Sequence, residues 1–324
     1  MRSPHIGNSR CKLKTTIAIL ILGWFGSNNS IQAQVVSDGT TNSQVNTTEN
    51  ISTITGGKRS GNNLFHSFEG FSVPTNTTAY FDNLAEIQHI FSRVTGGSIS
   101  KIDGTIKTNG SADLFILNPA GIIFGANARL DVGGSFIATT SESLVFGDGT
   151  EFSAVSPQAE PLLTVTAPVG LQYGRASNSI VILNNDNRPS SALPVGLSIK
   201  PNNTLALLAN NISIVRNDLN AFGGSVELGS VNLGTIDLQN NGSNWQFGYE
   251  GVLKFGQIDL ARTRIISNGT INLRGKDINL SKGSGINNFT QTDGEGGIVN
   301  ITASNAISLN SSSVFTQVGQ KNHY

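Results

Sequence analysis

The sequence predicts an all-β chain wound as a right-handed parallel β-helix, a solenoid with an N-terminal cap and extra-helical hairpins. Three observations predict it. After Gln34 the chain shows short apolar runs and no long helical pattern. The runs at 111–117, 121–124, 128–132, 135–138 and 143–146 are parted by Gly-Ala-Asn, Gly-Gly and similar breakers, too closely for helical crossovers between strands. The distal half also repeats itself: LALLANNISI (205–214) matches INLRGKDINL (271–280) position by position, and VNITASNAISL (299–309) with one inserted residue. Self-similarity on this scale is the sequence signature of a solenoid.

Each copy reads as a strand, a corner of small residues with Asn or Asp, and a second strand, and GGSVEL (223–228) resembles a further strand start. In a parallel β-helix, strands of successive coils stack about 4.8 Å apart, so inward Ile, Leu and Val form columns. Gly and Asn supply corners with positive φ or side-chain-to-backbone bonds, and stacked Asn can bond along the axis. About ten coils would give a rod on the order of 50 Å long. A β-sandwich is the alternative, and the matched repeats count against it.

The N-terminus reads differently. Residues 1–33 carry Arg2, Arg10, Lys12 and Lys14 and no acid, followed by an apolar stretch from Thr15 to Phe25 and a small residue at Ala33. This is the pattern of a secretory signal peptide cut between Ala33 and Gln34. An eleven-residue helix spans only about 16 Å, against roughly 30 Å of hydrocarbon, so stable membrane insertion is not expected. The only cysteine, Cys11, lies before the cut, which leaves the exported chain without disulfide or thiol nucleophile. Removing four cations from a balance of 21 basic and 21 acidic residues gives a charge of −4. No basic stripe remains for nucleic acid.

Three segments break the rhythm. Residues 83–94 fit either a helix, with Asn83 and Glu86 at capping-box spacing, or a bulged strand. Residues 157–201 hold six of the nine prolines, too many for central strands, and are expected to loop out or form an edge. Residues 242–256 carry Trp245, Phe247, Tyr249 and Phe255 on an expected extra-helical hairpin. Exposed, these rings would suit stacking on a sugar; otherwise they pack against the rod. The chain stops at Tyr324 without a recognisable cap, and the sequence-based expectation is a truncated rod or a fragment of one.

The most informative local run is LFILNPAGIIF (114–124). Asn118, Pro119, Ala120 and Gly121 have the residue preferences of a type I turn, leading into Ile122. With its flanks, NPAGIIFGANARLDVGGSFIATT resembles the secretion domain of filamentous-haemagglutinin-like exoproteins, whose hallmark is an Asn-Pro-Asn-Gly-Ile turn. ITGGKRSGNNLFHSFEGFSVP, RVTGGSISKIDGTIKTNGSADLFILNP and LLTVTAPVGLQYG extend the resemblance over about 35–174. Ala120 stands where the hallmark has its second Asn, and an earlier Asn-Pro-Asn-Leu motif of many members is missing.

The resemblance implies three parts: signal peptide 1–33, two-partner-secretion domain 34–174, and further coils 175–324. It implies that the N-terminal module of a secreted or surface-exposed, adhesin-like exoprotein passes through the periplasm of a Gram-negative-type bacterium. The partner would be a dedicated outer-membrane barrel with POTRA domains; host-cell or surface glycans are a further candidate partner. For Asn118, Pro119, Ala120, Gly121 and Ile122, direct partner contact and pure turn geometry both stand open. For Asn62, Asn63 and His66, in the family-like NNLFHSF segment, a buried polar corner is expected.

The competing class is a β-helix carbohydrate-active or carbohydrate-binding protein, which would show carboxylates converging on one coil face. Asp103, Asp113, Asp131, Glu142, Asp148 and Glu151 lie scattered beside turn glycines. His66 and His89 have no ligand partner at metal-binding spacing, and the Gly294–Gly297 run is neither a phosphate loop nor a full calcium repeat. The expectation is therefore no enzyme, no cofactor and no metal.

Overall fold

Alternation along a strand sends successive side chains to opposite faces. In strand Asn63–Gly70 it turns Leu64, His66 and Phe68 one way and Phe65 and Ser67 the other, and all five are buried. The computed structural model describes residues 35–158, 164–183, 196–242, 244–290 and 297–319. The signal segment, its cut at Ala33 and Gln34, the tail after Gly319 and most of the Gly294–Gly297 run lie outside the described residues.

All regular structure among the described residues is strand, and the coils form the expected right-handed parallel β-helix. One face stacks eight parallel rungs, with Leu64, Ile90, Leu114, Phe136, Leu205, Val226, Ile271 and Val299 in register. A second face aligns Ile102, Phe124, Ile182, Ile214, Leu260 and Leu280. The third carries Ala79, Ile106 and Leu130 in one sheet and Leu197, Leu219, Ile265, Ile286 and Val314 in another. Nearly all these inward side chains join one continuous apolar core, where burying a Leu- or Phe-sized side chain contributes roughly 1.5–3 kcal/mol.

Among the described residues this face has eight rungs rather than about ten, which span roughly 34 Å at the usual strand spacing. The residues that would have made further coils leave the rod to build a second sheet. In it, Ser143–Phe146 lies between Glu151–Ser153 and Pro168–Tyr173. Pro168–Tyr173 also pairs with the outer half of Ser225–Asn240, which carries Trp245–Gly248 and Val252–Phe255. Every pairing in it is antiparallel. It covers the outward column Phe65, Phe91, Phe115, Ile137 and Ala206, making a second core with Leu144, Phe146, Phe152, Leu171, Ile236 and Trp245. Strands buried on both faces read as unbroken apolar runs, which is why LFIL and LALLA do not alternate.

The repeats fall where the sequence places them. Leu205 and Ile271 sit two rungs apart, with Val226 of the GGSVEL segment between them. The residue inserted in the last copy is a register shift opposite Gly275 and Asp277. Residues 83–94 resolve as a turn, with Ile87 N donating to Leu84 O at 3.1 Å, and strand His89–Val94. Asn83 caps no helix; it exchanges side-chain and backbone bonds of 2.9–3.0 Å with Asn109 one rung on.

Residues 157–201 correct an expectation, because they do not simply loop out. Pro168 opens an internal strand of the antiparallel sheet, at the first position, where a missing N–H is tolerated. The proline-free strand Ile180–Ile182 is a rung of the rod; residues 159–163 and 184–195 lie outside the described residues.

Corners show another departure. Asn42, Asn76 and Asn202 take positive φ as expected, but so do Arg216, Arg262, Lys282 and Ser311, at φ 51–57°. These four follow Val215, Ala261, Ser281 and Asn310, which are in register, so they are one corner repeated on four rungs. Backbone bonds from Arg216 N to Ala261 O (2.8 Å) and from Arg262 N to Ser281 O (3.1 Å) hold the bend. At the other end, Val36–Ser37 and Lys58–Ser60 pair antiparallel with Asn63–Gly70 and close the edge of the first rung.

Candidate partner-recognition site

The Asn118 turn links two rung strands, Asp113–Leu117 and Ile122–Phe124. Gly121 N donates to Asn118 O at 3.0 Å, closing a four-residue turn. Ala120 is absent from the positive-φ residues, which excludes type II and leaves type I geometry. Asn118 is fully buried, and its side chain is satisfied inside the fold. Its Nδ2 donates to Ser98 O (2.9 Å) and Ser100 Oγ (2.8 Å), while Oδ1 accepts from Ala120 N (3.0 Å). Pro119 is buried, and its carbonyl accepts from Asn178 Nδ2 at 3.1 Å. Gly121 adopts φ 115°, and a Cβ there would stand 3.2 Å from Ser179 O. Ile122 is fully buried in the main core. Half-buried Ala120 is the side chain of the five that reaches the surface.

The NNLFHSF segment divides similarly. Asn62 is exposed, and its carbonyl accepts from Gln88 N at 2.9 Å. Asn63 is buried, with Nδ2 bridging Thr164 O (3.0 Å) and Thr166 O (2.9 Å). It thereby ties the start of the first rung to the chain that enters the antiparallel sheet. His66 points into the capped end of the rod, 2.9 Å from Ser43 Oγ and edge-on to Phe81. Burial pushes its pKa down to about 3, so it is neutral.

Sequence reasoning missed Arg93. It lies on the outward side of strand His89–Val94 and is 1% exposed. Nε donates to Ser67 Oγ (2.8 Å), one terminal nitrogen to Ser153 O (2.8 Å) and the other to Thr40 Oγ1 (3.0 Å). The guanidinium stands 4.4 Å from the Phe152 ring centre. One side chain thus joins the cap, the first rung and the antiparallel sheet. An arginine next to the apolar residues of HIFSRV, with the strand's own His and Ser, was the available signal.

Of the six carboxylates weighed as a catalytic set, Glu142 and Glu151 line one cleft beside Arg93, and each of the six is engaged in a local contact. Asp131 pairs with Lys107 (3.3 Å) and Lys200 (3.5 Å), and Asp103 accepts from Asn127 N (2.9 Å). Glu142 accepts from Ala176 N (2.7 Å), Asp148 from Thr150 N (3.0 Å) and Glu151 from Ser143 Oγ. Asp113 binds His89, Ser135 N and Trp245. Trp245 is 3% exposed and edge-on to Phe115 at 5.0 Å, so it belongs to the second core and offers no stacking platform. Among the described residues no group of three or more His, Cys, Asp or Glu is placed to hold a metal, and no helix is long and apolar enough to cross a membrane.

Comparison with known proteins gives three results. The family model of the TPS secretion domain matches residues 33–288. Among solved structures, the fold is similar to the HMW1 secretion domain from Haemophilus influenzae, with 16% identity and a TM-score of 0.55. That match covers 88% of this chain and 66% of the other, so this chain spans just under two thirds of that one. The filamentous hemagglutinin secretion domain is similar at 17% identity and a TM-score of 0.47, covering 86% of this chain and 100% of that one. No curated protein matches.

Proposed function

The chain belongs to the TPS, or two-partner secretion, domain family, and from that membership we propose that its first coils are the address read by a dedicated outer-membrane barrel through periplasmic POTRA repeats. The chain is a secretion module of an exported exoprotein, and that barrel would recognise it before export across the outer membrane. Residues 1–33 would direct export to the periplasm, with the cut after Ala33. The coils would then fold outside the cell, each burying its inward column on the rung before it and so resisting return. The destination is the medium or the cell surface.

The observation that carries this reading is the extent of the family match, which opens at residue 33, beside the expected cut, and takes in both cores. It also bears on the module's boundary. The expected domain, 34–174, ends before the segment that brings Trp245 onto Phe115. We place the functional module at 34 to at least 256, because without that hairpin the second core lacks its cover at Phe115, although Phe146 and Phe152 still cover Phe65 and Phe91.

Within the module, Asn118 acts through geometry: a buried, saturated amide cannot reach a partner, but it fixes the turn that presents Ala120. The test is secretion of the chain with and without a co-expressed partner barrel, beside Asn118→Ala and Ala120→Asp variants. The expected result is partner-dependent release, with Ala120→Asp folded but retained. Partner-independent release sinks the proposal.

A further inference from the structure

The outward column of the first face changes character along the rod. After Phe65, Phe91, Phe115, Ile137 and Ala206, the next three positions in register are Glu227, Asn272 and Asn300. At that point the antiparallel sheet ends in Trp245–Gly248 and Val252–Phe255, which pair one after the other along the outer half of Ser225–Asn240, and the gap between this edge and the rod is a cleft of about 490 Å³. We propose that this cleft is a binding site for a neutral oligosaccharide lying along the rod axis.

Its floor is a ladder with one hydrogen-bonding side chain per rung. Tyr249 Oη donates to Glu227 Oε1 at 2.5 Å, Asn272 Nδ2 to Glu227 Oε2 at 2.9 Å, and Asn300 Nδ2 to Asn272 Oδ1 at 2.9 Å. The ladder passes from a Glu227 that is 2% exposed to an Asn300 open to solvent. Rungs about 4.8 Å apart step on the scale of a sugar ring. Beside the ladder, the Arg274 guanidinium lies 5.0 Å over the Phe255 ring and makes no hydrogen bond to a described residue, leaving its N–H donors for a ligand. Half-buried Phe247 adds an apolar wall. Paired donors and acceptors beside a ring face are what a hydroxyl-rich ring with an apolar underside requires. Acidic and basic side chains both line the cleft, so no single-sign field selects a strongly charged ligand. The site lies beyond the first rungs, and it stands or falls independently of transporter recognition.

The probes are cellohexaose, maltohexaose and chitohexaose, with a hexagalacturonate as the anionic control, titrated into the purified chain and followed by saturation-transfer NMR. Saturable binding of at least one neutral hexamer is expected, weakened about tenfold or more by Arg274→Ala and by Asn300→Ala. Both side chains are partly or fully exposed, so each variant should melt with the parent. No binding at millimolar ligand overturns the proposal, as do binding confined to the anionic control and affinity unchanged in both variants.

Discussion

The indole nitrogen of Trp245 donates to Oδ2 of Asp113 at 2.8 Å, across 132 positions of the chain. The same carboxylate receives Ser135 N on its other oxygen (2.6 Å) and lies 3.1 Å from His89 Nδ1. The bond fixes where the hairpin lands on the third rung. Trp245→Phe keeps a ring against Phe115 but removes the donor, and should cost about 1–2 kcal/mol. Trp245→Ala should cost about 3–5 kcal/mol. The urea midpoint measures both.

Asn118→Ala should destabilise by about 1–3 kcal/mol, because Ser98 O, Ser100 Oγ and Ala120 N lose their partner inside the fold. Gly121→Ala should also destabilise, since φ 115° is disfavoured for an L-residue and the added Cβ meets Ser179 O. Ala120→Asn should be close to neutral, as that turn position accepts either residue. Thermal melts of the three variants rank them.

Two buried groups tilt stability against pH in opposite senses. Burial holds His66 down at about 3, so its contribution is complete above 6.5 and is lost as pH falls toward 3. Burial pushes Glu227 up to about 7 against the hydrogen bonds from Tyr249 and Asn272. Its contribution is complete below 4.5 and is lost as pH rises through 7. Between pH 4.5 and 6.5 the two slopes, each about 1.4 kcal/mol per pH unit at full weight, should largely cancel. Glu227→Gln should uncover the histidine slope, so that stability climbs with pH across that window. A flat urea midpoint in the variant would contradict the assignment.

Lys282→Gly should raise stability, by up to about 1 kcal/mol, because φ 57° costs an L-side chain more than glycine loses in chain entropy. Lys282→Val should lower it. Differential scanning calorimetry resolves the pair.

Much of this was legible in the residues. The strand-corner-strand copies fixed the rungs of the distal half, including the single-residue bulge at Gly275, because inward columns demand the same residue class at the same place on each coil. The second core was not legible. In LFIL the residues at 115 and 117 are as apolar as those at 114 and 116, and a run apolar on both faces does not say what covers the outer one. Its cover comes from Ser143–Phe146, Glu151–Ser153, Pro168–Tyr173, the outer half of Ser225–Asn240 and Trp245–Gly248, brought together by antiparallel pairings of no fixed period. The corner column at Arg216, Arg262, Lys282 and Ser311 was hidden too: the bend is imposed by stacking rather than by the residue, and none of the four is Gly or Asn. For the Asn118 turn, sequence gave the geometry but not the burial, which decides whether an amide can be touched from outside.

A chain that emerges end first meets a delay in this design. The wall of Phe65, Phe91 and Phe115 is made early, and Phe146 and Phe152 soon cover its first two rings, yet the strand that lays Trp245 against Phe115 follows more than a hundred residues later. Until that strand arrives, the third rung carries a bare Phe115 and remains the part of the opening coils most readily held open by another protein. The interval is set by arithmetic along the backbone, so lengthening the stretch between Tyr173 and Trp245 should prolong the pause and shortening it should hasten commitment. Order of arrival thus serves as a clock, wound by sequence distance and stopped by one indole.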